Sequence, residues 1–188
     1  MNISVIIPFK NEREYARLTL EQVNNFLKKE KRDFEIIAVD DSSDGTWEII
    51  KGFEKSHRRV KAVKGEEPPG YGKALRKGFS LATGDIVIPF NGDMCDSLDD
   101  LLKYANCIEE GYDMVFGSRY TKGGRFIDYP SHKIMFSRLG NIILMGLFRV
   151  RCSDITNTFK AFRKEVVEAV RPQADSYELG LEMALKGI

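Results

Sequence analysis

Two adjacent carboxylates, Asp40 and Asp41, end the apolar run that starts at Phe34 and open the turn Ser42-Ser43-Asp44-Gly45-Thr46. Asp, Ser and Gly favour turns and helix caps without any ligand, so a capped loop is one reading. Two carboxylates are more than a cap needs, and the other reading is a pair of acceptors for a nucleobase N–H and for ribose hydroxyls. Asn91-Gly92-Asp93, after Ile86-Val87-Ile88-Pro89-Phe90, divides in the same way. It is a turn, or it holds a hard cation bridging a diphosphate, because Mg²⁺ or Mn²⁺ needs only one or two carboxylates where phosphate oxygens complete the shell. Pro8-Phe9-Lys10-Asn11-Glu12 and Gly117-Ser118-Arg119-Tyr120 follow two further apolar runs and add a third acidic edge and an arginine. Gly65 to Ala74 comes close to a phosphate-cradling P-loop and misses it: Tyr71 follows Gly70, no Ser or Thr follows Lys73, and Pro68 and Pro69 interrupt the backbone donors. Nor does Gly-x-Gly-x-x-Gly follow the first apolar run, where a dinucleotide site would need it.

Each of these stretches ends an apolar, β-branched run, and a sheet must present them together. In an open α/β sheet the ligand crevice lies beyond the carboxyl ends of the strands. The runs predict strands at 3–9, 34–40, 60–64, 86–91 and 114–118, with a weaker one at 158–163; the first, second and fourth are nearly continuous in Val, Ile, Phe and Ala, as strands buried on both faces are. Between them, residues 12–29 place Tyr15, Leu18, Val23, Phe26 and Leu27 near helical spacing. Asp44 and Ser97 read as N-caps of helices, the first running to about Ser56, and a further helix is expected from Tyr71 to Ala82, stopped by Thr83-Gly84-Asp85. The sum is an α/β chain with a central, mostly parallel sheet flanked by helices. The segment 131–150 joins the basic residues Lys133, Arg138, Arg149 and the adjoining Arg151 to the apolar run Ile142 to Phe148. A helix packed in the core is one reading of it, and a helix lying in a membrane interface is the other.

Length and composition exclude several classes. The chain has 188 residues, 43% hydrophobic and 30% charged, enough to bury a core as one domain. With 29 basic against 28 acidic residues the net charge is +1, which gives no field to attract a nucleic acid. Three widely spaced cysteines and two histidines make neither a disulfide scaffold nor a zinc site. The first residues read as a strand rather than a signal peptide, and the longest apolar run falls far short of the roughly 20 residues that span a bilayer. The expectation is a cytosolic chain.

Taken together, Val5 to Glu12, Ala38 to Thr46, Gly70-Tyr71-Gly72-Lys73-Ala74, Ala82 to Asp85, Asn91-Gly92-Asp93 and Gly117 to Tyr120 resemble the family 2 glycosyltransferases in order and spacing. Ser137, Arg138, Asn141, Asp154 and Thr156 follow in the manner of the dolichol-phosphate mannose synthase, or polyprenyl-phosphate glycosyltransferase, branch. The resemblance covers nearly the whole chain. It implies a GT-A fold, a nucleotide-sugar donor and Mg²⁺ or Mn²⁺. By position it assigns Pro8, Glu12, Asp40 and Asp41 to a nucleoside pocket, with Asn11 and Lys73 also binding the donor. Asp93 matches the last aspartate of a metal motif, with Asn91 as its companion ligand. Arg119 and Arg138, with Ser137, match groups that face the transferred sugar and phosphates, and Asp154 would position the sugar or the acceptor. Asp93, Arg119, Arg138 and Asp154 are thus the expected catalytic set.

The sequence departs from that pattern at Asn91, where an aspartate is usual, and at Cys95, where the branch often has glutamine. One anionic ligand is missing, which predicts weaker metal affinity or a shifted metal preference. The branch also continues past a point such as Gly187-Ile188, so the expectation is a single catalytic domain over 1–188 that is cut short at its C-terminus. The implied reaction carries a hexose from GDP-mannose or a UDP-hexose to a polyprenyl or dolichyl phosphate on the cytoplasmic membrane face. A phosphate acceptor is largely dianionic at neutral pH and needs no general base, so inverting displacement is expected. A hydroxyl acceptor would need such a base, which the sequence does not identify. A module that binds a nucleotide-sugar without transferring it is the alternative from another class.

Overall fold

The computed structural model describes residues 1–121, 123–124, 130–150 and 152–187; the basic residue Arg151 and the terminal Ile188 lie outside them. Runs rich in Val and Ile build β1 (Ile3–Phe9), β2 (Phe34–Asp40) and β4 (Ile86–Pro89), which are buried almost throughout. With β3 (Val60–Lys64), β5 (Met114–Phe116) and β6 (Lys160–Arg163) they form one sheet in the order β3-β2-β1-β4-β6-β5. The first four strands are mutually parallel, and β6 runs antiparallel to both β4 and β5.

Two layers of helices cover the sheet. α1 (Ala16–Lys29), α2 (Thr46–Ser56) and α4 (Leu98–Glu109) pack on one face through Leu20, Val23, Ile50 and Leu101. α3 (Tyr71–Leu81), α6 (Lys164–Val170) and α7 (Leu179–Lys186) pack on the other through Leu75, Phe79, Val167 and Met183. Removing these apolar surfaces from water is the main force holding the layers.

Several boundaries differ from expectation. β4 ends at Pro89, β5 at Phe116, and β6 begins only at Lys160; before β6 the Asn157 side chain takes up backbone groups, donating to the Gly117 carbonyl at 3.1 Å and accepting from the Phe159 N–H at 3.1 Å. α1 begins four residues late: Glu12 to Tyr15 form a turn in which the Glu12 carbonyl accepts from Tyr15 and Ala16. Its buried face is Ala16, Leu20, Val23 and Leu27, spaced by four, three and four, which leaves Tyr15 and Leu18 exposed. Ser97 caps α4 as expected, accepting from the Asp100 N–H at 3.3 Å. Left-handed Gly45 takes the N-cap position of α2 instead of Asp44, whose carboxylate accepts from the Thr46 N–H at 3.0 Å and its hydroxyl at 2.6 Å.

α5 (Ser131–Phe148) bears on the two readings of residues 131–150. Asn141 is its one buried residue, and Met135, Phe136, Leu139, Ile142, Ile143 and Leu147 are more than half exposed, so this helix does not pack in the core. Among the described residues no helix is long and apolar enough to cross a membrane.

Candidate active site

Parallel strands deliver their carboxyl ends to one edge. Because β6 runs backwards, the residues that lead into it, Asp154 to Phe159, arrive at that same edge, and Phe116 at the end of β5 pairs with Lys160 there. The chain order reverses between β1 and β4, which opens the crevice where the loops after those strands diverge.

Phe9 lies opposite Asp40, and the Asp41 N–H donates to the Phe9 carbonyl at 2.9 Å. Asn11, held left-handed at φ 59°, ties the two loops together: its N–H donates to Ser42 Oγ at 2.8 Å and its Oδ1 accepts from the Ser43 N–H at 3.0 Å. A cavity of about 320 Å³ lies between these loops and α3. Pro8, Lys10, Glu12, Asp41, Asn91 and Asp93 line one side, and Gly70, Tyr71, Ser176 and Tyr177 line the other. Asp41 lies over Gly65, where a Cβ would stand 1.6 Å from its Oδ1, so only glycine leaves room for that carboxylate.

The cavity carries excess negative charge. Burial raises the pKa of Glu12, with Asp93 and Asp44 adding to it; burial likewise raises Asp41. Asp96, whose carboxylate accepts from the Asn91 N–H at 2.8 Å, is pushed up to about 6 by burial, with Asp93 beside it. Carboxylates crowded in this way favour a cation among them. The donor set suits a hard divalent ion of open coordination. Asp93 is exposed, and the Asn91 carbonyl oxygen is oriented by the Tyr71 hydroxyl, which donates to it at 3.2 Å. Among the described residues no three His, Cys, Asp or Glu side chains close around one point, so water and substrate oxygens would have to complete the shell, as Mg²⁺ and Mn²⁺ tolerate.

The other expected residues lie apart from this cavity. Asp40 is buried beneath it, one oxygen accepting from Lys64 Nζ at 2.7 Å while the other has no partner among the described residues. Lys73 donates to the Pro68 carbonyl at 2.9 Å. Arg119 and Asp154 form a second cluster: two guanidinium nitrogens meet the buried carboxylate at 2.7 and 2.9 Å, and the Arg119 N–H adds a third bond at 3.0 Å. Asn141 bonds Asp154 at 3.3 Å, Thr156 Oγ at 3.0 Å and the Ser137 carbonyl at 2.9 Å, which fastens α5 to this cluster. Arg138 is exposed on α5. Along the same helix runs an apolar groove of about 720 Å³, lined by Ile142, Met145, Gly146 and Val150 with Arg149 at its side.

Sequence reasoning missed Asp96, Tyr177 and Lys160. Lys160 is fully buried in β6, donating to the Ile155 and Asn157 carbonyls and so fixing the turn that carries Asp154. Nothing local marks it; Tyr177 lies about a hundred residues from the wall it completes, while Asp96 stood within sight of the metal motif.

The chain is similar to several known proteins. The glycosyltransferase AglD of Haloferax volcanii is 29% identical over 93% of this chain and 28% of its own. A dolichol-phosphate mannosyltransferase of Pyrococcus furiosus is 32% identical over 100% of this chain and 53% of its own length. A polyprenol monophosphomannose synthase of Mycolicibacterium smegmatis is 29% identical over 88% of this chain and 63% of its own. The chain therefore spans about half the length of the Pyrococcus furiosus relative and under two thirds of the Mycolicibacterium smegmatis one. In fold it is similar to glucosyl-3-phosphoglycerate synthase of Mycobacterium tuberculosis, solved with Mn²⁺, UDP and phosphoglyceric acid, at a TM-score of 0.73 and 19% identity over 97% of this chain and 62% of that one. That likeness establishes the GT-A architecture. The sequence model for glycosyl transferase family 2 matches residues 4–171, and with that extent of match the chain belongs to this family.

Proposed function

We propose that the chain transfers a hexose from a nucleotide-diphosphate sugar to a polyprenyl phosphate, with inversion at the anomeric carbon. The observation that carries this reading is the pairing of a carboxylate-rich cavity at the β1/β4 crevice with an uncovered apolar helix, α5, on the same edge of the sheet. The 32% identity to a dolichol-phosphate mannosyltransferase over all of this chain supports it.

Pro8, Glu12 and Asp41 would receive the nucleoside, Asp41 accepting from the base or the ribose. Asp40, with one buried oxygen unpaired among the described residues, would hold the Asp41 loop from below. Asp93 and the Asn91 carbonyl would hold Mg²⁺ or Mn²⁺ on the diphosphate, and that ion would neutralise the charge growing on the leaving group. The acceptor phosphate would meet Arg138 and Ser137, its chain lying along the α5 groove with Arg149 near the phosphate end. Asp154 would hold Arg119 in a fixed orientation toward the reacting groups. A dianionic phosphate attacks without surrendering a proton, so no general base is assigned.

The test supplies GDP-mannose or UDP-glucose, Mn²⁺ and a short polyprenyl phosphate, and measures nucleoside diphosphate release. Lipid-dependent release with a product of inverted configuration is expected. Donor binding with no release would favour the binding-module reading; release that needs only a soluble hydroxyl acceptor would remove the lipid. Flotation with anionic liposomes checks α5 separately: binding is expected, and Phe136→Asp with Ile143→Asp should abolish it while leaving the thermal midpoint unchanged, since both side chains are exposed.

A further inference from the structure

The segment that follows α6 docks on the N-terminus of α3. The Asp175 carbonyl accepts from the N–H groups of Gly72, at 3.0 Å, and Lys73, at 3.3 Å, two donors that the start of a helix leaves without partners. Close approach needs glycine there: a Cβ on Gly72 would stand 2.5 Å from the Ala174 carbonyl oxygen. Arg76 clamps the segment from the next turn, donating to the Gln173 carbonyl at 2.8 Å and to the Asp175 carboxylate at 2.6 Å. Glu182 of α7 holds it from the other side, accepting from the N–H groups of Gln173 and Ala174 at 2.8 Å each. So anchored, the segment sets the Tyr177 ring on that of Tyr71, centroids 4.6 Å apart and planes within 17°. Tyr177 is nevertheless 68% exposed, and it borders the cavity together with Asp41 and Pro8.

A large ring held flat, with one face covered and the rest bare at the rim of a cavity, suits a planar ligand. We propose that residues 173–177, which lie C-terminal to the stretch matched by the family model, form a wall of the donor cavity in which Tyr177 stacks on the heterocyclic base of the nucleotide. The proposal rests on the donor reading above and deepens it. Because the Tyr71 hydroxyl also donates to Asn91 Oδ1, the same aromatic pair joins the base-binding wall to the residue placed at the metal.

Calorimetric titration of the chain with GDP, UDP and inorganic pyrophosphate, each with Mn²⁺, separates the possibilities. Tyr177→Ala is expected to weaken the preferred nucleoside diphosphate about tenfold, as loss of a base–aromatic stack does. Tyr177→Phe and Tyr177→Trp should stay within about twofold of the parent, since each keeps a π face. Pyrophosphate, which has no base, should bind all four chains alike. Should removal of the ring destabilise the chain, Tyr177→Leu covers Tyr71 without offering a π face and serves in its place. Unchanged nucleotide affinity in the Ala or Leu variant overturns the proposal while leaving the donor reading intact, and so does an equal loss for pyrophosphate. A parent chain that binds neither nucleotide removes both.

Discussion

In the proposed metal site, Asn91 sits where one charge would decide how tightly a cation is held. Its carboxamide is fixed by the Tyr71 hydroxyl on Oδ1 and by Nδ2, which reaches Cys95 Sγ at 3.5 Å, so the carbonyl dipole is oriented but carries no net charge. Within residues 91–96 it is Asp93 that brings an exposed carboxylate, because Asp96 is turned to the Asn91 backbone and burial, with Asp93 beside it, raises its pKa. Asn91→Asp should tighten Mn²⁺ in the presence of nucleoside diphosphate by about tenfold, since ligand charge count sets affinity at hard-ion sites. Titration followed by the Mn²⁺ paramagnetic resonance signal reads this without turnover, and unchanged affinity would mean that position 91 does not face the ion. The pairing of Asn91 and Asp93 was legible in the sequence because both belong to one short motif. Its hold by Tyr71 was not, because the hydroxyl arrives from another helix and no local signal announces a partner twenty residues away.

Among the elements, β6 and α5 show why burial is harder to read than identity. A lysine in a four-residue strand reads as solvent-facing, yet Lys160 is 1% exposed because β6 lies between β4 and β5 and its ammonium turns in to close the Asp154 turn. Burial lowers its pKa from 10.5 to about 8, against the opposing influence of Cys152 and Asp154. Below pH 8 both folded and unfolded chains carry this charge and the cost of burying it is present in full. Between about 8 and 10.5 the folded chain has released a proton that the unfolded chain still holds, so this group makes the fold more stable as pH rises. Lys160→Met lacks that titration. The unfolding free energy of the parent chain relative to this variant should therefore rise by about 1–3 kcal/mol between pH 7 and pH 9.5, read by urea denaturation; a flat difference would show that Lys160 stays charged. In α5 the opposite happened. An apolar run of seven residues fits a core and an interface equally well by pattern, and only the exposure of its side chains among the described residues decides against the core.

Across the whole molecule, the convergence of the expected residues was legible because parallel strands place their carboxyl ends together whatever their side chains are. Which of them share a cavity was not, since that depends on loop reach: Pro8, Glu12, Asp41, Asn91 and Asp93 meet, whereas Asp40, Asn11 and Lys73 serve the walls from outside. The cavity draws on β1, β2 and β4, on α3, and on the segment before α7, so its walls come from elements that bury their apolar faces in both core layers. An unfolded chain cannot assemble such a site, and a ligand that fills it stabilises only the native state. At a free nucleoside diphosphate concentration of about 100 times its Kd this amounts to about 2.7 kcal/mol. For a chain of this length that corresponds to a rise of about 5–10 °C in thermal midpoint. The rise is expected with Mn²⁺ present and should fall by at least half when a chelator removes it. An equal rise in chelator would deny Asp93 its metal, and no rise in either condition would mean that this cavity does not receive the nucleotide.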